Sequence, residues 1–233
     1  MRNIQKSEKI GMLVAVEISS VLKSDFDFIR KEQAGKFDIY VYERNGNQII
    51  VAHSGAGQVM AAAATEILIS LYQVDFIINF GIVGALTEEI GLEQVCVIEN
   101  VVDYSFDTSE VDHCEVGRHL EYPSIYLKTD EALLKKALKI IPGLKKVNCA
   151  SGMKFVSTSE EKAQINKQFH CEIIEMEAAG ILLTADMHDV GVLFIKGISD
   201  TLHGGAEEYK SIYEKSSDTC FQIILNLLDQ NLV

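Results

Sequence analysis

The sequence has few of the residues and runs that mark disordered or membrane-spanning chains. Only two prolines, Pro123 and Pro142, interrupt its 233 residues. No run approaches the ~18 consecutive apolar residues that a membrane-spanning helix needs. The short apolar part near the start is followed by Glu17, which favours a buried first strand over a signal peptide. Because 48% of the residues are hydrophobic, we expect one domain, residues 1–233, with a sizeable core.

Metal-binding pairs of cysteine or histidine are also missing. No CxxC pair occurs, and the six histidines form no HxH or HxxxH pair, so a metal site is a poor interpretation. An odd number of scattered cysteines is typical of free thiols in a reducing compartment, which predicts a cytoplasmic protein. The five are Cys96, Cys114, Cys149, Cys171 and Cys220.

Positive charge is scarce. The chain has 21 basic and 34 acidic residues, a net charge of −13. An acidic chain repels phosphate backbones and anionic membranes, so we expect neither nucleic acid nor a membrane as a partner. A neutral or cationic small substrate remains compatible with this charge.

Apolar runs alternate with segments of helical periodicity. The runs are too continuous for half-exposed strands and are typical of strands covered on both faces. Alternating strands and helices predict an α/β fold, and Asn45-Gly46 between two strand-like runs predicts a hairpin. The sheet is therefore expected to be mixed and mainly parallel. Predicted strands are Ile10–Val16, Ile49–Ala52, Phe76–Phe80, Val95–Ile98, Val147–Ala150 and Val192–Ile198; predicted helices are Gln58–Leu71, Asp130–Lys139, one starting near Ser159, Met176–His188 and Glu207–Leu228.

The segments after four of these strands are candidate sites, because ligands of open α/β sheets bind beyond the carboxyl ends of strands. They are residues 54–57, 81–86, 151–155 and 199–201, and the first two are glycine-rich. Glycines there are explained either as tight connections or as close approach of the backbone to a ligand. Neither run is a G-x-G-x-x-G or Walker motif, so a dinucleotide or nucleoside triphosphate is weakly supported.

Acidic and aromatic side chains near these exits are the candidate functional groups. One of Glu175 and Glu177 is explained by a helix dipole, but a pair suggests carboxylates that accept hydrogen bonds from the two hydroxyls of a ribose. Asp200 is interpreted either as a turn residue or as a general acid in a partly buried pocket. Phe155 either closes the core or stacks on a planar base.

In their order and spacing, these segments resemble the purine nucleoside phosphorylase/nucleosidase superfamily, and most closely its methylthioadenosine/S-adenosylhomocysteine nucleosidase branch. The similarity covers nearly the whole chain. It is carried by residues 10–17, 54–57, 78–86, 151–155, 174–178 (IEMEA) and 197–200 (GISD). It implies a three-layer α/β/α domain, cleavage of a purine–sugar bond, a small purine nucleoside as partner, and a homodimer or higher homo-oligomer.

The resemblance also implies a role for individual residues. Asp200 corresponds to the acid that protonates or hydrogen-bonds purine N7, and Ser199 orients it. Glu177 corresponds to the carboxylate on the ribose hydroxyls, and Phe155 to the ring stacked on the base. A base protonated in this way leaves as a neutral molecule, while carboxylates stabilise an oxocarbenium-like sugar. The other implied contacts are Met176 on the sugar, the Val156 backbone at the purine edge, and Gly84 in the glycine turn. No cofactor is implied.

Two positions depart from the family pattern. Ser19 stands where the nucleosidases carry the glutamate that activates water, and Ile82 stands where a hydroxyl residue is common. Glu17 is the one carboxylate near the first of these positions, so it is the candidate catalytic base. We expect hydrolysis of a nucleoside such as methylthioadenosine or S-adenosylhomocysteine. The alternatives are a phosphate-dependent phosphorylase, for which the four arginines (Arg2, Arg30, Arg44 and Arg118) offer few phosphate ligands, and a binding protein that has lost turnover.

Overall fold

A single sheet forms the centre of the protein. The computed structural model describes residues 7–230 and residue 232. In these residues ten strands occur: β1 (Lys9–Val14), β2 (Asp27–Ala34), β3 (Phe37–Arg44), β4 (Asn47–His53), β5 (Phe76–Ala85), β6 (Val95–Asp103), β7 (Leu127–Lys128), β8 (Lys145–Ser151), β9 (Ile173–Glu175) and β10 (Gly191–Asp200).

Helices cover both faces of this sheet. They are α1 (Ile18–Leu22), α2 (Gln58–Glu66), which continues as a π-helical turn (Ile67–Leu71), α3 (Ser109–Asp112), α4 (Glu131–Ile140), α5 (Ser159–Phe169), α6 (Ala178–Asp186) and α7 (Ala206–Asp229). One hydrophobic cluster joins the sheet to α2 and α6, and a second joins it to α4 and α7. The expected three-layer α/β/α architecture is therefore confirmed. No helix in the described ranges is long and apolar enough to cross a membrane.

Nine of the ten strands follow the order β10-β6-β8-β9-β5-β1-β4-β3-β2, and β7 pairs with β6. An additional pairing between β10 and β5 closes five of these strands into a ring. The sheet is mixed, as predicted, but it is not mainly parallel. Five pairings are parallel and five are antiparallel. One reason is that two-residue connections, which join β2 to β3 and β3 to β4, permit only antiparallel neighbours.

Most strands and helices lie where the sequence predicts them, and the Asn45-Gly46 hairpin is present between β3 and β4. Strand β2 was not predicted, because nearly all of its residues are exposed and it shows no apolar face. The interpretation of residues 81–86 as a glycine turn was wrong. Strand β5 continues through Ala85, since Gly84 still pairs with Ile174 of β9 on one side and with Asp200 of β10 on the other.

The topology places four strand ends together. Strands β4, β1, β5 and β10 are neighbours and all run parallel, so their carboxyl ends meet at one edge of the sheet. Strand β9 ends beside them, because it pairs with the last two residues of β5. The candidate functional site lies at this edge, as expected for an α/β sheet.

Candidate active site

A cavity at the carboxyl ends of these strands is lined by almost all of the predicted site residues. Val156, which follows Phe155 in the sequence, is the exception: its side chain is buried in a small hydrophobic cluster. Residues more than a hundred positions apart in sequence become neighbours here. The lining residues are Ala15, Val16, Glu17, Ala56, Ile82, Val83, Gly84, Phe155, Ile174, Glu175, Met176, Glu177, Ser199, Asp200 and Tyr209.

Asp200 is the last residue of β10 and is only 1% exposed. Its Oδ1 accepts a hydrogen bond from the Ser199 hydroxyl at 2.8 Å, and its Oδ2 lies 2.5 Å from Lys162 Nζ. The Ser199 hydroxyl is also 3.1 Å from the carbonyl oxygen of Val83. These contacts hold the carboxyl group in one orientation at the cavity wall.

Gly84 provides space for this carboxyl group. A Cβ atom at position 84 would lie only 2.9 Å from Asp200 Oδ2. Any side chain there would displace the carboxyl group, because carbon and oxygen atoms do not approach so closely without a bond. The glycine is therefore explained by close packing within a strand and not by a turn.

Glu175 anchors the start of α6. Its carboxylate accepts hydrogen bonds from the backbone N–H groups of Glu177 and Ala178, each at about 3 Å. Lys196, in the middle of β10, places its Nζ 3.3 Å from Glu175 Oε2. Burial lowers the pKa of this lysine, but the surrounding acidic groups, first Glu175 and then Glu177, together raise it above its ordinary value. Glu175 thus lines the cavity, but its carboxylate oxygens are already bound by backbone N–H groups of α6 and by Lys196.

Glu177 stands at the N-terminal end of α6, facing the start of α2. Its Oε1 accepts a hydrogen bond of 2.7 Å from the backbone N–H of Gly57. Gly57 has φ of +99°, a conformation that favours glycine, so it can turn its N–H toward this carboxylate. Burial, and secondly the charge of Glu175, raise the pKa of Glu177 to about 7.

Glu17 lies three residues after the end of β1, directly before α1, and is 3% exposed. Its Oε1 accepts a hydrogen bond from the backbone N–H of Ile82 at 3.0 Å, and its Oε2 accepts one from Val16 at 3.1 Å. Ser19 is partly buried on α1 and does not line the cavity. On this side of the cavity the carboxylate therefore comes from Glu17, two residues before the position where the family pattern places a glutamate.

Aromatic side chains form the remaining wall. Phe155 is 43% exposed, and its ring packs edge-to-face against Tyr209 of α7 with centroids 5.5 Å apart. Tyr209 in turn contacts Tyr213, whose hydroxyl donates to the carbonyl oxygen of Val16 at 2.7 Å. The half-exposed face of Phe155 is available for a planar ligand.

Three residues at or behind the cavity were missed by sequence reasoning. Lys196 lies inside an apolar strand run, and Lys162 lies on the buried face of α5 with Ile165 and Phe169. A lysine in a series of buried positions is a usable signal, because such a charge needs a partner. Tyr209 carries no comparable signal, since only the packing of α7 brings it to Phe155.

The described arginines are engaged elsewhere. Arg44 pairs with Asp25 and Asp229, each at 2.7 Å, while Arg30 pairs with Glu32 and Arg118 with Glu115. None of these three lines the cavity. Arg2 lies outside the described residues. A bidentate arginine ligand for phosphate is therefore missing among the described residues of the cavity.

The chain and its fold belong to a recognised class of proteins. A family model described as the phosphorylase superfamily matches residues 10–229, and the chain therefore belongs to that superfamily. Curated relatives carry the name 5′-methylthioadenosine/S-adenosylhomocysteine nucleosidase. The relative from Maridesulfovibrio salexigens is 28% identical over 95% of this chain and 99% of its own. The relative from Staphylococcus aureus strain MRSA252 is 26% identical, with the same shares of both chains.

Solved structures agree with these relatives. The Helicobacter pylori nucleosidase of the same name, with butyl-thio-DADMe-Immucillin-A, has a TM-score of 0.91 at 26% identity, covering 97% of this chain and 100% of its own. Futalosine hydrolase from Helicobacter pylori has a TM-score of 0.90 at 26% identity, covering 96% and 98%. The predicted resemblance to the nucleosidase branch is thus confirmed.

Proposed function

We propose that this protein hydrolyses the N-glycosidic bond of a purine nucleoside, with methylthioadenosine or S-adenosylhomocysteine as substrate and adenine as a product. The observation that carries this proposal is the pair of buried carboxyl groups, Asp200 and Glu177, in one cavity beside the half-exposed ring of Phe155. Enzymes named for this reaction resemble the chain over nearly its full length. Further support for water over phosphate comes from the three described arginines, which pair outside the cavity.

On the base side, Asp200 interacts with purine N7 while Phe155 stacks on the ring. As the bond between C1′ and N9 breaks, its electron pair moves into the base, and a proton delivered to N7 makes the leaving base neutral. General acid catalysis of this kind contributes about 10²–10⁴-fold to a rate. Ser199 keeps the carboxyl group oriented through its hydrogen bond to Oδ1.

On the sugar side, Glu177 accepts hydrogen bonds from the ribose hydroxyls, and Met176 packs against the sugar. Glu175 holds Glu177 in place through the backbone at the start of α6. Positive charge develops on the sugar as the base leaves, and fixed carboxylates stabilise it electrostatically.

Glu17 is the base that activates the attacking water in this proposal. It lines the cavity on the side of β1, and backbone N–H groups fix both of its oxygens. The water gives its proton to Glu17, and its oxygen forms the new bond to C1′. Ser19 lacks this capacity, since a serine without a neighbouring base is a poor proton acceptor.

The protein is further proposed to act as a homodimer or higher homo-oligomer in the cytoplasm. Apolar side chains at the start of α2 are exposed, with Val59 70% and Met60 43% accessible. The five cysteines, all of them free, suit a reducing compartment. Analytical ultracentrifugation tests the assembly: a monomer at micromolar concentration would contradict it.

The deciding experiment measures free base in buffer without phosphate, using methylthioadenosine, S-adenosylhomocysteine and futalosine. Hydrolysis predicts base release without phosphate and its loss in Asp200→Asn. Release that requires added phosphate would establish phosphorolysis instead. Tight binding with no product at high protein concentration would establish a nucleoside-binding protein. Futalosine is included because a futalosine hydrolase is as similar in structure as the nucleosidases.

A further inference from the structure

Lys162 is a completely buried lysine directly beneath the carboxyl group of Asp200. Its Nζ lies 2.5 Å from Asp200 Oδ2, 2.6 Å from the carbonyl oxygen of Thr201 and 3.1 Å from that of Gly204. An ammonium group has three protons to donate, and here each has an acceptor. The side chain does not line the cavity, so it reaches a bound ligand only through Asp200.

The position of Lys162 is dictated by α5. The side chain of Thr158 caps the start of this helix, which turns Lys162, Ile165 and Phe169 toward the interior. A buried charge of this kind costs several kcal/mol of desolvation and gives weak stabilisation even when paired. A hydrophobic residue would fill the same position at less cost, which indicates that the ammonium group has another role.

We propose that Lys162 is a positioning residue that orients Asp200 and supplies the proton that Asp200 delivers to the purine. The inference rests on the proposed function. In the resting pair the proton is on Lys162 and the Asp200 carboxylate is ionised. When the bond between C1′ and N9 breaks, one proton passes from the ammonium through the carboxyl group to N7. Lys162 is then a neutral amine, and it regains a proton from solvent after the base has left.

This arrangement explains how a carboxylate beside a cation can act as an acid. Alone, a buried carboxyl group favours its neutral form, but it loses its one proton as the pH rises. With the ammonium group at 2.5 Å the pair as a whole retains a transferable proton to higher pH.

Other titratable groups face the pair from neighbouring elements. Glu208 of α7 accepts hydrogen bonds from the N–H and hydroxyl of Thr201, and Tyr209 follows it at the cavity wall. Glu177 and Glu17 line the same cavity. These groups are unchanged in the variants below, so their effects on the pH profile are common to all of them.

The test compares Lys162→Met with Lys167→Met, which makes the same substitution at an exposed position of α5. Adenine release from methylthioadenosine is followed from pH 5 to pH 9, and thermal unfolding confirms that each variant is folded. We expect kcat of Lys162→Met to be about 10²-fold below wild type at pH 8. The loss should shrink toward pH 5, where the buried carboxyl group carries its own proton, while KM changes much less. Lys167→Met should match wild type at every pH.

A loss in Lys162→Met that is equal at all pH values, or that follows KM alone, would overturn the proposal and leave Lys162 a structural residue. Should Lys162→Met fail to fold, Lys162→Gln repeats the test with a neutral donor in place of the ammonium group. Infrared difference spectra against Asp200→Asn in the same background provide a readout without turnover. A protonated carboxyl band at pH 5 is expected in the Lys162 variant and not in wild type. This readout decides the inference even if wild type releases no base, an outcome that would refute only the proposed hydrolysis.

Discussion

The two sides of the cavity each contain a buried lysine–carboxylate pair, yet the pairs differ in what else the carboxylate contacts. On the base side, Asp200 is bound by Lys162 at 2.5 Å and by Ser199, and it borders the space left by Gly84. On the sugar side, Glu175 lies 3.3 Å from Lys196 and also accepts from the start of α6. In the proposed mechanism the same two chemical groups therefore serve proton delivery on one side, while on the other they place a helix.

The charge balance of the two sides also differs. On the base side, the positive charge of Lys162 faces one carboxylate, that of Asp200. On the sugar side, the buried Lys196 lies beside two acids, Glu175 and Glu177, and Glu17 lines the same cavity. The sugar side is thus more negative, which suits a substrate that becomes cationic in the transition state. The excess of negative charge also helps to raise the pKa of Glu177 to about 7.

The largest expected effect on the sugar side is that of Glu17→Gln. The amide keeps the shape of the side chain but cannot accept the proton of water, so kcat should fall by about 10²–10⁴-fold with little change in KM. Steady-state assays of base release measure both constants. Ser19→Ala is the matched control and should keep the wild-type rate. Nearly full activity in Glu17→Gln, with a large loss in Ser19→Ala, would contradict the role of Glu17 and assign activation of the attacking water to Ser19 of α1.

Lys196→Met should mainly reduce stability. Its removal leaves Glu175 and Glu177 buried without a cation, which costs about 3–5 kcal/mol in the free energy of unfolding. Urea denaturation measures this loss. The double variant with Glu175→Gln should recover part of it, because one of the unpaired charges is then absent. Lys31→Met, which breaks the exposed pair with Asp38, is the matched control and should cost far less. An equally small cost for Lys196→Met would contradict the anchoring role.

Glu177 predicts a pH dependence of substrate binding. We propose that the Glu177 carboxylate accepts hydrogen bonds from ribose hydroxyls. With its pKa raised to about 7, this carboxylate becomes protonated as pH falls below 7, so KM should rise there. The stability of the folded protein should instead increase as pH falls through the same range. The folded protein retains this proton between about pH 4.5 and 7 while the unfolded chain releases it, so stability declines as pH rises through that window. Both trends should be absent in Glu177→Gln, and their persistence in that variant would assign them to another group.

The smallest effect is expected for Phe155→Ala. Stacking of an aromatic ring on a base contributes about 0.5–1.5 kcal/mol, so KM should rise by at most about tenfold with kcat nearly unchanged. Titration of adenine binding by calorimetry should give the same ratio. Phe155→Tyr preserves the ring and serves as the control. A larger change in kcat than in KM would show that this ring affects the chemical step and not only binding of the base.

Many of the candidate site residues could be predicted from the local sequence. Asp200, Glu177 and Phe155 were identified because each follows or ends a strand, and strand ends are recognisable from apolar runs and the residues after them. Their order along the chain also carried the resemblance to the superfamily. Glu17 was identified in the same way, as the carboxylate that directly follows the first strand.

Other features needed the tertiary structure. Strand β2 has no buried face and is held by its pairing with β3, so its own residues give no periodic signal. Whether residues 81–85 form a turn or a strand depends on partners that lie about a hundred positions later. The partner of Glu175 is Lys196 and that of Asp200 is Lys162, and nothing local to either acid identifies its lysine.

The sequence by itself thus determined the α/β class, the order of its elements and the acids at the strand ends, because hydrophobic periodicity and local turns encode them. Only the tertiary structure decided which charges are neutralised, which carboxylate is free to contact a ligand, and which side of the cavity retains excess negative charge. These depend on distances between side chains from separate elements, and electrostatic and hydrogen-bond energies are set by such distances and by burial.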